Sequence, residues 1–205
     1  MRLLLSSLVV VLAACGVDES MDSVTTAVKQ EALSASHCPA SVPVALAPAA
    51  DQALWRVLAA EGVQIYRCTN TATGPAWVFE SPDALLRSTD SCDDEGDHPI
   101  VGHHYAGPTW EFKDRSTVVG VKAAAAPAPV ATAIPWLLLN AVSHAGSGRF
   151  TEVTSIQRMD TEGGLAPGTG CDATTINAAV RVPYTANYYL YRARPGRDNT
   201  EQQCR

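Results

Sequence analysis

The stretch VGHHYAGPTWEFKDRSTVVGVK, residues 101–122, decides the fold class. It contains three short segments rich in Val, Tyr, Trp and Phe, namely Val101–Ala106, Thr109–Lys113 and Thr117–Lys122. β-Branched and aromatic residues are enriched in strands, whereas residues such as those of Asp114–Ser116 are typical of turns. The stretch therefore predicts three consecutive short strands joined by tight turns.

The same pattern continues on both sides of this stretch. Further predicted strands are Leu54–Leu58, Val63–Cys68, Ala76–Glu80, Ile134–Ala141, Phe150–Met159, Ala179–Val182 and Asn187–Arg192. Turn-rich segments separate most of them, as at residues 127–129 and 162–170. We expect an all-β fold, a single-domain antiparallel β-sandwich or barrel with long loops and at most one or two short helices.

Two segments carry more specific expectations. Pro82–Arg87 (PDALLR) predicts a short helix, because proline is favoured in the first helical turn. Pro135–Leu139 (PWLLL) is apolar at successive positions and predicts a central strand buried on both faces. A short buried helix is the alternative there, since periodicity does not separate the two.

Composition limits the classes of protein to which the chain belongs. Of its 205 residues, 46% are hydrophobic and 18% are charged, which is a globular composition and not a disordered one. The formal net charge is −6, from 15 basic and 21 acidic residues. Proteins that bind nucleic acid carry basic patches or runs, so we expect no nucleic-acid partner.

The first 15 residues, MRLLLSSLVVVLAAC, predict an export signal. Arg2 precedes an apolar run that is shorter than the ~20 residues of a membrane-spanning helix. Small residues stand directly before Cys15, and this arrangement resembles the lipobox of bacterial lipoproteins. The resemblance implies cleavage after Ala14, acylation of Cys15 and attachment to a membrane. The outer membrane is favoured, because Gly16 replaces the aspartate that retains such proteins at the inner membrane.

These signals divide the chain into three parts. Residues 1–14 are expected to form the signal peptide, and residues 15–37 the lipidated cysteine followed by a small, polar, flexible tether. Residues 38–205 are expected to form the single β-rich domain. The predicted location is therefore the cell envelope, with the membrane as a partner through the lipid anchor.

Five cysteines remain when Cys15 is set aside, and an exported protein meets conditions in which disulfides form. No two of them form a CxxC pair, which argues against a zinc site and against a thioredoxin-type redox pair. Sequence alone does not fix the connectivity. We expect Cys68 to pair with Cys171, and a second bridge to join Cys38 and Cys204 near the two ends of the chain.

Five phrases together carry a family resemblance. They are GVQIYRC (62–68), GHHYAGPTW (102–110), IPWLLL (134–139), VTSIQR with TEGGLAP (153–158 and 161–167), and VPYTANYY (182–189). Their order and spacing resemble the bacterial and fungal family called domain of unknown function 3455, over roughly Pro43 to Tyr191. The resemblance implies no activity, although some fungal relatives carry a malate-dehydrogenase label.

The sequence gives no support to that label. A dinucleotide site needs GxGxxG between a strand and a helix, with an acidic residue further along the chain. The nearest match begins at Gly146, but Thr151 replaces the third glycine and a predicted strand follows instead of a helix. We therefore reject nicotinamide chemistry and predict no cofactor of this kind.

Histidines and acidic residues form one candidate metal site. His98, His103 and His104 follow an acidic segment that includes Asp94 and Asp97. Imidazole and carboxylate ligands together suit zinc, copper or iron. Successive residues of a strand point to opposite faces, so at most one of the two adjacent histidines can share a site with His98. The favoured interpretation is an acidic loop followed by a strand with one hydrogen-bonded and one surface histidine.

Aromatic residues form a second candidate. Trp110, Tyr105 and Tyr189 are candidates for an aromatic surface that binds a sugar or a flat ligand, although aromatics that alternate along strands more commonly belong to the core. The chain contains no GxSxG, SxxK or HExxH motif, so no catalytic residue is predicted.

The sequence as a whole favours a lipid-anchored envelope protein with a non-catalytic binding or structural role. Its partner would be a small molecule, a glycan or another envelope protein. The alternative is a metal-binding protein or metal-dependent enzyme that uses His103 and the nearby acidic loop.

Overall fold

The computed structural model describes residues 41–90 and 98–194. A short 3-10 turn, Val44–Leu46, precedes eight antiparallel strands that close into one barrel in chain order, with the last strand pairing with the first. The strands are β1 (Gln52–Thr71), β2 (Gly74–Ser88), β3 (Ile100–Tyr105), β4 (Thr109–Phe112), β5 (Thr117–Ala126), β6 (Trp136–Ala145), β7 (Val153–Gly163) and β8 (Ala179–Ala193). The predicted all-β antiparallel fold is confirmed, and the barrel is the alternative that the chain adopts.

The helix predicted over Pro82–Arg87 is wrong, because these residues lie in β2. Ala84 and Leu86 are buried inside the barrel, whereas Leu85 between them is 43% exposed, so the segment alternates with the period of a strand. Pro82 fits there because β2 pairs with β3 only from Ala84 onward. A proline in a strand is tolerated where no ladder hydrogen bond is needed on its free side.

Two of the predicted strand pairs are each a single long strand. Leu54–Leu58 and Val63–Cys68 belong to the 20-residue β1, and the last two predicted strands belong to β8. β1 continues through Gly62, where the neighbouring strand approaches closely. A Cβ added at Gly62 would lie 2.2 Å from the carbonyl oxygen of Asp83 and 2.6 Å from the Ala84 Cβ. The missing side chain therefore lets β1 and β2 stay paired at this close approach.

The interior of the barrel is filled by side chains from the inner face of every strand. Its largest fully buried members include Trp110, Tyr188, Leu58 and Ile156. Trp110 packs over Gly120, since a Cβ added at that glycine would lie 3.1 Å from the indole Cζ3. An eight-stranded barrel is just wide enough for side chains to fill it in this way.

A second apolar cluster lies outside the barrel wall, beneath the segment that enters β1. Leu46 is fully buried there against Trp136 and Tyr191. Gln157 fixes this segment, because its Nε2 donates to the Leu46 carbonyl at 2.6 Å and its Oε1 accepts from the Tyr191 hydroxyl at 2.6 Å. The outer cluster covers β6 from outside the barrel, which explains why the PWLLL run (135–139) is apolar at successive positions.

The prediction of a strand buried on both faces is confirmed for most of that run. Leu139 packs into the interior cluster, and Trp136 packs into the outer one. Both lie in β6, so the helical alternative is wrong.

The connection between β7 and β8, residues 164–178, is fixed covalently. A disulfide joins Cys68 of β1 to Cys171, as predicted, across a sequence separation of 103 residues. Closing a loop of that length stabilises the fold by roughly 4–5 kcal/mol on the chain-entropy model. The backbone of Cys68 also bonds to Asn177 and Ala178 at 2.9 Å each. The connection is therefore held at both its middle and its end.

Several predictions fall outside the described residues. They concern the signal peptide, Cys15, the tether, and the bridge between Cys38 and Cys204. Asp94 and Asp97 of the acidic loop also lie outside them. In residues 41–90 and 98–194, no helix has the length and apolar character needed to cross a membrane.

The close approach at Gly62 can be tested directly. Gly62→Ala is expected to lower the free energy of unfolding by more than about 2 kcal/mol, because the new methyl group meets backbone that cannot move without breaking the β1–β2 pairing. Gly168→Ala is the matched control, since a Cβ there has nothing within 4 Å. Urea unfolding followed by tryptophan fluorescence measures both, and equal stabilities for the two variants would contradict the packing argument.

Candidate functional site

One end of the barrel is open at its side. β2 pairs with β3 only over Ala84–Arg87, and β4 pairs with β5 only as far as Val119. Residues 74–83 of β2 and 121–126 of β5 therefore have a strand neighbour on one side only, as far as the described residues show. The short β3–β4 hairpin leaves a gap between these two edges. We call this region, where β1, β3, β5 and β7 finish, the open end.

Polar side chains from four strands meet the inner face at the open end. They are Gln64 of β1, Lys122 of β5, Arg158 of β7, and Tyr184 and Tyr188 of β8, and we call them the mouth cluster. Lys122 pairs in register with Leu139, and Arg158 pairs with Tyr188, both of which are interior residues. Residues directly opposite each other on paired strands point to the same face. The side chains of Lys122 and Arg158 therefore project from the inner face of the barrel.

Hydrogen bonding in the mouth cluster is incomplete. The hydroxyls of Tyr184 and Tyr188 lie 3.3 Å apart and bond to each other. Gln64 is 2% exposed, and its side chain reaches the Tyr184 hydroxyl and lowers the pKa of that group against the larger effect of burial, although Nε2 makes no well-formed hydrogen bond within the described part of the chain. The indole Nε1 of Trp110, in the layer below, also has none there. Buried donors in folded proteins usually have a partner, so an acceptor that reached Gln64 would complete its hydrogen bonding.

The charge at the open end is positive. Arg158 donates from Nε and Nη2 to the carbonyl oxygen of Pro135 at 3.2 and 2.8 Å, so its partner is a neutral oxygen. Burial raises the pKa of Tyr184 and of Tyr188, and both hydroxyls stay neutral at pH 7. Lys122 is exposed at the rim.

Nearby carboxylates point outward and are already bonded. Asp83 binds His103 and Arg181, Glu111 accepts from Tyr105, and Asp160 accepts from Asn187 and Tyr189. Among the described residues, the charged side chains on the inner face at the open end are therefore Arg158 and Lys122, both cationic, whereas Glu162 pairs in register with Thr185 on the outer face.

An apolar groove borders the mouth cluster. Its volume is about 420 Å³, and every residue that lines it is Ala, Val, Pro or Leu. Ala125, Ala133 and Leu165 lie on its walls. Pro135 also lines it, and its carbonyl oxygen is the atom that Arg158 holds. The groove and the guanidinium are thus separated by a single residue.

His104 lies inside the barrel, next to this cluster. Its ring stacks on Trp110 with centroids 4.2 Å apart, and it is 3% exposed. Its Nδ1 lies 2.9 Å from the carbonyl oxygen of Thr109, which can only accept, so Nδ1 carries the hydrogen. Burial lowers the pKa of His104 to about 3, and the hydrogen bond to the Thr109 carbonyl acts in the opposite direction. The residue is a neutral part of the packed interior.

His103 lies on the other side of the barrel wall. Its side chain is 45% exposed, and its Nε2 lies 2.8 Å from Asp83 Oδ1. Hydrogen bonds from Arg181 and then from His103 lower the pKa of Asp83. The prediction that the adjacent histidines point to opposite faces, one hydrogen-bonded inside and one at the surface, is confirmed.

The structure does not assemble the candidate metal site. His98 is exposed before β3 and accepts a bond from Arg87 through its carbonyl oxygen, and His103 and His104 are divided by the barrel wall. Nowhere in the described ranges do three His, Cys, Asp or Glu side chains come together as a metal site would need. A site that includes Asp94 and Asp97 remains a prediction, because those residues lie outside the described ranges.

The candidate aromatic surface is also divided. Trp110 is 1% exposed inside the barrel, whereas Tyr105 lies outside and donates to Glu111 at 3.0 Å. Tyr189 is buried in the outer cluster and donates to Asp160 at 3.0 Å. The three were expected to share one surface, and this expectation is corrected because strand alternation and barrel closure place them in three separate environments.

Comparison with known proteins gives one match. The family model described as "Protein of unknown function (DUF3455)" matches residues 48–192, which is more than half of the chain. No curated protein and no solved structure matches the chain.

The buried neutral state of His104 predicts an acid sensitivity. Because the pKa is lowered in the folded state, the unfolded chain binds a proton that the folded chain does not, and stability falls as pH drops from about 6.5 towards 3. The slope from this residue is on the order of 1.4 kcal/mol per pH unit. His104→Phe keeps a stacked ring and cannot titrate, so its urea-unfolding free energy is expected to fall less steeply below pH 6. Parallel slopes for wild type and variant would show that His104 does not carry this dependence.

Proposed function

The chain belongs to the DUF3455 family of proteins of unknown function, and we propose that this member is a lipid-anchored cell-envelope protein whose barrel is a non-catalytic binding module. In this proposal, the ligand is a small molecule that enters at the open end. Its body lies in the apolar groove and its polar part reaches the mouth cluster.

One observation carries the proposal, namely the apolar groove whose lining residue Pro135 accepts a hydrogen bond from Arg158 of the mouth cluster. Small-molecule sites are concave, are lined mainly by apolar side chains, and contain a few polar groups that fix the orientation of the ligand. They measure about 300–1,000 Å³, and the groove of about 420 Å³ falls within this range. Gln64 and Arg158 supply polar groups next to it.

The hydrogen bonds of His103 and His104 give no support to nucleophilic catalysis by these two residues. Nucleophilic catalysis needs a base within hydrogen-bond reach of a Ser or Cys side chain. The hydrogen bonds of His103 and His104 in the described residues lead to Asp83 and to the Thr109 carbonyl, so neither histidine activates such a nucleophile.

The membrane attachment rests on the sequence of the N terminus. Arg2, the apolar run after it and the small residues before Cys15 together form the pattern of a lipoprotein signal. Multiple acyl chains anchor a protein stably, whereas a single chain binds only marginally. A protein held in this way would present its binding module at the membrane surface.

The groove can be tested with N-phenyl-1-naphthylamine, a neutral apolar dye whose fluorescence rises when it leaves water. We expect the full chain to bind the dye, and Ala131→Trp to reduce that binding at least tenfold, because the indole fills the groove that Ala131 lines. Ala131 is exposed, so the substitution leaves the core packing unchanged.

The matched control is Val142→Trp, at a position on β6 that is 59% exposed and does not line the groove. It is expected to bind the dye as wild type does. Background from detergent or from other apolar segments is common to all variants and cancels in the comparison. Equal binding by wild type and Ala131→Trp would rule out the groove as the binding site.

The lipid anchor predicts a labelling result in bacterial cells. Growth with a clickable palmitate analogue is expected to label the wild-type protein and not Cys15→Ser, because Cys15 is the acylated residue. Cys92→Ser is the control for loss of a cysteine elsewhere and should still be labelled. Persistent label on Cys15→Ser would place the acyl group, and hence the anchor, at another residue.

A further inference from the structure

We propose that the ligand of the open end is an anionic amphiphile, with its negatively charged group bound by Arg158 and Lys122 and its apolar body in the groove. This inference rests on the proposed binding function and adds the chemical class of the ligand. Carboxylate, sulfonate and phosphate groups share the relevant chemistry, which is a compact anion with several acceptor oxygens.

Within the described ranges Arg158 forms no ion pair, as is also true of Arg87, Arg149 and Arg194, and of these four it is the one whose backbone position lies on the inner face at the open end. Five other arginines form ion pairs, namely Arg56 with Asp90, Arg67 with Glu80, Arg115 with Glu111, Arg181 with Asp83 and Arg192 with Glu152. Arg158 is half-buried and bonds to the Pro135 carbonyl instead. A cation that is partly removed from water without a counter-ion is costly, and a bound anion offsets that cost.

Lys122 adds a second positive charge to the same face. It leaves the inner face of β5, two strands away from Arg158 on β7. Two strand spacings of ~4.8 Å and an offset of two residues along the strand put the two backbone positions roughly 12 Å apart, a gap that two long side chains and one anionic group can span. No ion pair within the described ranges involves Lys122.

The positive charge of Arg158 reaches the surrounding groups. It acts to lower the pKa of Tyr66, His104, Tyr184 and Tyr188. For His104, burial acts in the same direction, whereas for the three tyrosines burial acts in the opposite direction and is the larger effect. Four groups from β1, β3 and β8 therefore experience the same field. A field of one sign that converges on a partly enclosed space concentrates ligands of the opposite charge there.

The donors at the open end match acceptor oxygens. Gln64 Nε2 is buried without a well-formed hydrogen bond and lies close to the Tyr184 hydroxyl, and Tyr184 and Tyr188 keep their hydroxyl hydrogens at pH 7. Guanidinium binds oxyanions through a planar fork of N–H donors. An anion with several oxygens can accept from Arg158 and Gln64 together, which a neutral alcohol cannot do equally well.

The apolar body follows from the position of the groove. Pro135 lines the groove, and its carbonyl oxygen accepts from Arg158 Nη2 at 2.8 Å. A ligand with its anion on Arg158 therefore extends directly over Ala133 and Leu165. The geometry selects a molecule with a charged head and an apolar tail rather than a free inorganic ion.

A matched pair of dyes tests the charge. 8-Anilinonaphthalene-1-sulfonate differs from N-phenyl-1-naphthylamine by one sulfonate group. The groove signal is defined as the part of the dye fluorescence that is lost in Ala131→Trp. By this measure, we expect the full chain to bind the sulfonate dye about tenfold more tightly than the neutral dye. The reason is that a charge-assisted hydrogen bond contributes at least that factor. The affinity of the sulfonate dye should also fall as salt is added.

Variants assign this difference to residues. Arg158→Gln is expected to reduce the ratio of sulfonate-dye affinity to neutral-dye affinity about tenfold, because the substitution removes the positive charge and keeps a polar side chain. Arg158→Lys should retain part of the affinity, and Lys122→Gln should reduce it about threefold. Arg181→Gln, on the outer face and bonded to Asp83, is the matched control and should alter neither dye.

The outcomes separate this inference from the proposed function. The anionic class of ligand is overturned if the two dyes bind equally, or if the sulfonate-dye affinity is unchanged in Arg158→Gln. In that case, a groove signal for the neutral dye still supports the proposed binding module. Loss of the groove signal for both dyes in wild type overturns both. Retained neutral-dye binding by Arg158→Gln shows that this variant is folded, so its sulfonate-dye result is interpretable.

Discussion

The pairing of β1 with both β2 and β8 is the constraint on which the rest of the structure depends. β1 is the longest strand, and its two ladders close the sheet into a barrel. Closure turns the two faces of every strand into an inside and an outside. Consecutive residues therefore have opposite environments, as His103 and His104 do: one side chain is 45% exposed beside a carboxylate, and the other is stacked in the core.

The sequence was informative about local structure. Segments rich in β-branched and aromatic residues are strands, the adjacent histidines diverge, Pro135–Leu139 is a doubly covered strand, and Cys68 pairs with Cys171. Strand ends were less predictable, because Gly62 and Pro183 are breakers by composition, yet both lie inside long strands. PDALLR has the composition of a helix start, and its pairing with β1 and β3 overrides that local preference.

The candidate site could not be found from the sequence for a physical reason. Gln64, Lys122 and Arg158 are ordinary polar residues at alternating positions, and an inner-face position looks the same in sequence as an outer-face one. Their meeting depends on barrel closure and on the short β3–β4 hairpin, both of which are long-range features. One signal was present, since Tyr184 and Tyr188 fall on the same face as Ala186 and Leu190 in the last strand. The positions that did attract attention, such as Tyr105 and Tyr189, are outward-facing.

The length of the β3–β4 hairpin has a consequence for how this scaffold diversifies. The hairpin is short, with a strand of six residues and one of four, so the aperture beside it is set by loop length and not by core packing. Insertions or deletions at residues 106–108 would widen or narrow the aperture while the buried layers of Trp110 and Tyr188 stay in place. Two proteins of this architecture could thus share one core and still bind ligands of different size. Ligand selectivity could then evolve separately from the stability of the fold.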